Sequence, residues 1–310
     1  MSRPVYFHAP AALAHVCASR DRAGGEAFDR ALAGHIQGLC GRSLRQASRF
    51  IHLAAAGALA AVREAAPPSS TGVYLATGLG DLRTPARVFA QTRADLNAVS
   101  PFDFVNMNSN TAAYYIARLA SLAGPNLTIS QGALSFEWAL RQAWTAIQHG
   151  LDHALVGGVD EGAPSRVELK RRAKLRRGDM PGEGSAWFVL STEPARAAGR
   201  LIDMRWLAAP RKADRRRLYA PFVGRAGYAP DFVSFGPRVS PRLVAELVDI
   251  MPHATVQTPF SVCGHYPTAS AFAITQGLRA APPNPATSLH VATDGRGRFV
   301  AILYQTGNTP

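Results

Sequence analysis

The side chains best suited to chemistry in this 310-residue chain are three cysteines, nine histidines and two dense runs of arginine and lysine. Cys17, Cys40 and Cys263 are odd in number and widely separated, so they form neither a disulfide framework nor the Cys-x-x-Cys pair of a zinc site. His149 and His153 stand four apart, a spacing that can grip a metal on one helix face. Gly150 breaks that face at a helix end and no Glu lies between the two, so no metal is expected there. Gly78-Leu79-Gly80 lacks the Lys-Ser/Thr of a phosphate loop, and no dinucleotide fingerprint follows a strand, so no cofactor is expected. His265 has no evident partner. A solitary histidine more often packs through a hydrogen bond than catalyses.

Charge narrows the choice of partner. Thirty-four Lys and Arg against 21 Asp and Glu give a net +13, which calls for an acidic partner or substrate. Much of the excess lies in Lys170-Arg171-Arg172-Ala173-Lys174-Leu175-Arg176-Arg177 and in Arg211-Lys212-Ala213-Asp214-Arg215-Arg216-Arg217. Neither run accompanies a helix-turn-helix, zinc finger or aromatic RNA-binding motif, so nucleic acid is not expected. A composition 47% hydrophobic and 18% charged is that of a folded protein. No apolar run reaches the roughly 18 residues of a membrane span, and Met1–His8 lacks a signal-peptide apolar region; the expected location is the cytoplasm.

The elements that must position these residues alternate between strand and helix, as in layered α/β folds. Strands are expected over 4–9, 72–77, 126–130, 152–158, 185–191 and 202–207. Helices are expected over 45–66, closed by Pro67-Pro68, over 110–122, stopped by Gly124-Pro125, and from about 133 to 149. The stretch 165–180 is polar and basic and reads as surface loop.

Four collinear segments resemble the β-ketoacyl synthase branch of the thiolase superfamily. They are Ser100-Pro101-Phe102 with Asn110 to Ala117, Gly124-Pro125-Asn126-Leu127-Thr128-Ile129-Ser130, Gly150 through Val156-Gly157-Gly158-Val159-Asp160, and Pro181-Gly182-Glu183-Gly184-Ser185-Ala186-Trp187-Phe188-Val189-Leu190. A fifth, Ser261-Val262-Cys263-Gly264-His265, is similar to the family's Ser-x-x-Gly-His element. The resemblance implies an α/β, five-layered α-β-α-β-α fold of two similar halves: residues 1–190, and a shortened 191–310, in one compact unit. It also implies that Asn126, Leu127, Thr128, Ile129 and Ser130 form the strand that pairs across a dimer axis.

In active members of that family a cysteine follows this strand at the start of a buried helix, whose N-terminus stabilises the thiolate. Counting forward from Pro125 and back from Gly150 both place that position at Ala133, which offers no nucleophile. The segment matching the first catalytic histidine, Asp231 to Pro237, contains none. Phe260 replaces the lysine that precedes the second, and only His265 remains. The Asp294-Gly295-Arg296-Gly297-Arg298-Phe299 loop carries arginines where the family prefers small and aromatic residues. The resemblance therefore implies a non-catalytic chain length factor, closest in its short form to those of aryl-polyene-type type II polyketide systems. Such a subunit pairs with an active ketosynthase, shapes the acyl tunnel and receives an acyl carrier protein. The alternative is a malonyl-carrier decarboxylase using Gln131, which requires a two-residue slip of the strand.

Overall fold

The computed structural model describes residues 3–17, 22–41, 44, 46–94, 99–162, 171–207, 229–280 and 284–307. Lys170 and the basic run 211–217 lie outside the described residues. The described residues form one ten-stranded sheet in the order β3-β2-β4-β5-β1-β6-β10-β9-β7-β8. The strands are β1 (Val5–Val16), β2 (Gly72–Ala76), β3 (Asn126–Ile129), β4 (His153–Asp160), β5 (Gly182–Ser191), β6 (Gly199–Leu207), β7 (Phe232–Phe235), β8 (Thr255–Gln257), β9 (Ala286–Thr293) and β10 (Phe299–Thr306).

The order contains a repeat. β2 runs parallel to β3 and β4, while β5 is antiparallel to β4 and β1. The same senses recur in the second set: β7 is parallel to β8 and β9, and β10 is antiparallel to β9 and β6. The two sets join where Val5–Phe7 of β1 pair antiparallel with Gly199–Leu201 of β6. β1 is longer than its sequence suggests. A register shift between His8 and Ala11, with Ala9 at φ 48°, turns the strand away from β6 and along β5 as far as Val16.

Alternation along the strands sorts side chains into separate cores. Ala154 and Val156 of β4 and Ala186, Phe188 and Leu190 of β5 face a central layer made by α6 (Ser135–Gln148) and α9 (Ala269–Arg279). That layer also receives Ala292, Ile302 and Tyr304 from the second half. Leu155, Val159, Trp187 and Val189 face the opposite way, against α1 (Arg22–Cys40), α2 (Arg49–Ala65) and α5 (Asn110–Leu119). A third core packs α7 (Pro241–Val248) on Val233, Leu289 and Ala301. These are the five layers, α-β-α-β-α.

α2 lies flat on the sheet because its inner face is mostly alanine, and Gly57 meets Ser185 and Trp187. Its ends follow the local chemistry: the Ser48 hydroxyl accepts from the Ile51 N–H at 3.4 Å, and Ala66 closes the helix in left-handed backbone before the prolines. The helices α1 and α3 (Arg83–Ala94) are additional to the elements expected from sequence.

Candidate functional site

The turn after β3 is assembled by short-range hydrogen bonds. The Ser135 hydroxyl accepts from the Gln131 N–H and donates to the Gly132 carbonyl, both at 2.8 Å. These bonds hold Gly132–Leu134 as a 3₁₀ turn, so the regular helix α6 begins at Ser135 rather than at 133. Ala133 lies half-buried in that turn, and Gln131 is exposed two residues earlier.

His265 comes to the same end of the molecule. Gly78 is squeezed between Pro267 and the turn: a Cβ there would lie 2.3 Å from the Pro267 side chain and 2.7 Å from the Gly132 carbonyl. Asp160, fully buried at the end of β4, locks the arrangement. One of its oxygens accepts from the Thr77 hydroxyl and from the Gly78 and Leu79 N–H groups; the other accepts from the Thr268 N–H and hydroxyl. The Gly80 N–H donates to the Thr77 hydroxyl, so all three backbone donors of the Gly78-Leu79-Gly80 turn are spent inside the protein. Burial pushes the Asp160 pKa up, and those bonds oppose it.

His265 itself is fastened. Its Nδ1 donates to the Met180 carbonyl at 3.2 Å, its own N–H donates to the same oxygen at 2.8 Å, and Nε2 lies 3.8 Å from Asp179. The Phe260 ring, on the short helix α8 (Phe260–Cys263), covers it with centroids 4.6 Å apart. Of the sequence-identified residues, the structure thus gathers Phe260 and His265 into contact and sets the Ala133 turn across Gly78 from the His265 loop. His149 and His153 are separated in role: His149 Nδ1 bonds the Thr145 carbonyl of its own helix, whereas His153 opens β4 opposite Ser191.

Beneath the turn lies a pair that sequence reasoning missed. Glu137, one helical turn after Ala133, is fully buried, and neither carboxyl oxygen has a hydrogen-bond partner. It faces His290 of β9, with Oε1 and Nε2 4.0 Å apart; His290 Nδ1 bonds the Ser234 hydroxyl at 2.8 Å. Burial pushes the Glu137 carboxyl up to about 7, opposed by the nearby Ser270 hydroxyl, whose geometry falls short of a hydrogen bond. Burial pushes His290 down to about 3. Both groups are therefore held neutral between those values. The only sequence signal was a carboxylate four residues after Ala133 on an otherwise apolar helix face.

β3 is an edge strand, paired on one side with β2. The Pro125 and Ile129 carbonyls accept from the Val73 and Thr77 N–H groups, so alternation turns the backbone groups of Asn126 and Thr128 away from β2. Ser130 lies exposed just past the strand. Leu127 is exposed, and exposed apolar side chains continue from it through neighbouring helices: Tyr114 on α5, Phe102, Phe104 and Val105 on α4 (Pro101–Asn106), and Phe89 on α3.

The 171–177 loop rests on the second half of the chain. Arg176 donates to the Val239 and Arg238 carbonyls at 2.8 and 2.6 Å, and Arg238 donates to the Lys174 carbonyl and lies against Gly295. Arg171, Arg172 and Arg177 remain exposed. Asp294 ties the neighbouring loop, accepting from the Arg296 and Arg298 N–H groups and from Arg298 Nε at 2.9 Å. Among the described residues, no helix is long and apolar enough to cross a membrane.

Residues 34–183 match the beta-ketoacyl synthase N-terminal domain. A comparison with curated protein sequences finds no match. Among solved structures, the chain is similar to the ishigamide ketosynthase/chain length factor, with a TM-score of 0.77 and 20% identity over 98% of this chain and 99% of that one. It is also similar to the ketosynthase assembly described as AntDE:AntF, a type II PKS acyl-carrier protein in complex with its ketosynthase bound to the hexaketide. There the TM-score is 0.75 and the identity 12%, over 99% of this chain and 100% of that one. A beta-ketoacyl synthase from Burkholderia phymatum STM815 aligns with a TM-score of 0.72 and 15% identity, over 99% of this chain and 100% of that one. The chain therefore matches the beta-ketoacyl synthase N-terminal domain over residues 34–183 and has the thiolase-like ketosynthase fold.

Proposed function

We propose that this chain is a non-catalytic ketosynthase-like subunit, a chain length factor, that pairs with an active ketosynthase and helps to shape its acyl tunnel. The observation that carries the reading is the β3 edge. Asn126 and Thr128 turn backbone groups outward on a strand that exposes Leu127, and the helices that pack in series from it expose Tyr114, Phe102, Phe104, Val105 and Phe89. A sheet edge with such a patch beside it is a surface that folded proteins normally cover. Ala133 supplies no nucleophile beside that edge, and His265 is committed to the Met180 carbonyl. The partner supplies the cysteine and histidines, and an acidic acyl carrier protein delivers substrate to the basic surface that includes Arg171, Arg172 and Arg177. We place the system among aryl-polyene-type assemblies, on the short form of the chain.

The test is co-expression with a type II ketosynthase, followed by size exclusion and native mass measurement. A one-to-one complex is expected, with no acyl adduct on this chain after incubation with acyl-carrier thioesters. A homodimer that ignores the ketosynthase, or a stable acyl adduct, would overturn the reading.

A further inference from the structure

The end of β1 meets β5 in a further cluster, next to the bridge between Pro181 and His265. His15 and Cys17 are two apart, so their side chains leave the same side of the extended chain. His15 is the register partner of Glu183 on β5, and the Cys17 N–H donates to the Pro181 carbonyl at 2.8 Å, which anchors the thiol beside that pair. His15 Nδ1, Cys17 Sγ and a Glu183 carboxylate oxygen all lie within 4.8 Å of one another.

We propose that these three atoms bind one divalent cation of the zinc type as three of its ligands. Three further observations support the site. The first is distance. Zinc bonds of about 2.0–2.1 Å to nitrogen and oxygen, at tetrahedral angles, set ligand edges of about 3.4 Å. The His15 Nδ1–Glu183 Oε1 separation is already 3.4 Å. The Cys17 sulfur lies within 4.8 Å of both atoms, so it needs an approach of at most about 1.2 Å to reach a nitrogen–sulfur edge of about 3.6 Å.

The second is the state of the carboxylate. Glu183 Oε2 accepts from Arg49 and from the Gly162 N–H, each at 2.7 Å. Oε1 accepts the other Arg49 donor, also at 2.7 Å, and lies 3.4 Å from His15 Nδ1, its existing partner. Arg49 therefore orients the carboxylate toward the site rather than closing it. The His15 ring is stacked on Phe28 with centroids 5.1 Å apart, so the imidazole is held in place as well.

The third is space and charge. A Cβ on Gly162 would stand 2.9 Å from Glu183 Oε2 and 3.1 Å from Cys17 Sγ; glycine leaves that gap clear. Around the site the two arginines Arg49 and Arg83 face the three carboxylates Asp29, Glu161 and Glu183, and Asp81 acts on Glu161 as a fourth. Carboxylates outnumber arginines, which favours a cation there.

Cobalt(II) reports this chemistry directly, because a cobalt–thiolate bond gives a near-ultraviolet charge-transfer band. Titration of the full-length chain with Co²⁺ should saturate that band at one equivalent, and Zn²⁺ should displace it. Cys17→Ser should abolish the band, Cys40→Ser and Cys263→Ser should leave it, and His15→Phe should weaken binding by about tenfold or more. X-ray absorption on the zinc-loaded parent provides a measurement that needs no variant. It should show one sulfur at about 2.3 Å with nitrogen and oxygen at about 2.0–2.1 Å. Absence of a thiolate band at one equivalent, its survival in Cys17→Ser, or a zinc shell without sulfur would each overturn the assignment.

Discussion

Replacing Glu137 by Gln should make the protein more stable at alkaline pH and leave it nearly unchanged in mild acid. The carboxyl is fully buried on α6, has no hydrogen-bond partner, and is pushed up from 4.5 to about 7. A carboxyl whose folded pKa is raised contributes stability that is fully present below about pH 4.5 and is lost as pH rises through about 7. At 1.36 kcal/mol per pH unit, that interval corresponds to about 3 kcal/mol lost by the parent above pH 7. Glutamine keeps the shape and never ionises. His290 acts in the opposite sense: pushed down from 6.5 to about 3, it contributes stability present above pH 6.5 and lost as pH falls through about 3. The variant retains that acid-side loss.

Urea unfolding of parent and variant at about pH 5 and about pH 9 measures the difference directly. The variant should gain about 3 kcal/mol on the parent between the two conditions. An equal difference at both would refute the claim that Glu137 is held neutral. A parent that gains on the variant at high pH would show instead an ionised Glu137 paired with a charged His290.

Thr128→Pro should abolish association with the ketosynthase while the chain still folds. The N–H it removes faces away from β2, and edge strands tolerate proline; size exclusion with and without the partner reads both effects. Ala133→Cys should give no condensation in a complex whose ketosynthase cysteine has been removed, because Phe260 and the Asp231–Pro237 segment supply no assisting groups; product formation would refute this. Reversing Arg171, Arg172 and Arg177 to Glu should weaken carrier-dependent turnover, and the parent's turnover should fall with salt, since exposed charges are screened over about 10 Å at 0.1 M. Arg176→Glu should behave differently, lowering thermal stability, because its guanidinium holds the Val239 and Arg238 carbonyls.

Local chemistry made much of the fold legible in the chain. Pro67-Pro68 stop α2 because proline cannot continue a helix, whereas α5 ends at Leu119, before Gly124-Pro125, where Ser121 takes left-handed backbone. Strands buried on both faces, such as β4 and β5, read as nearly continuous apolar runs. The resemblance pointed to Ala133, and because β3 and α6 are adjacent in sequence the residue lies in the turn between them. Contacts between distant residues were not legible, because one-dimensional spacing carries no information about sheet register. Only the packing of α6 against β9 opposes Glu137 to His290, 153 positions apart by their numbers. Only the pairing of β1 with β5 brings His15 and Cys17 to Glu183, so a search by spacing fell on His149 and His153 instead. Likewise the run 170–177 reads as uniform positive charge, but tertiary packing divides it: Arg176 serves the second half of the fold, and Arg171, Arg172 and Arg177 are left on the surface.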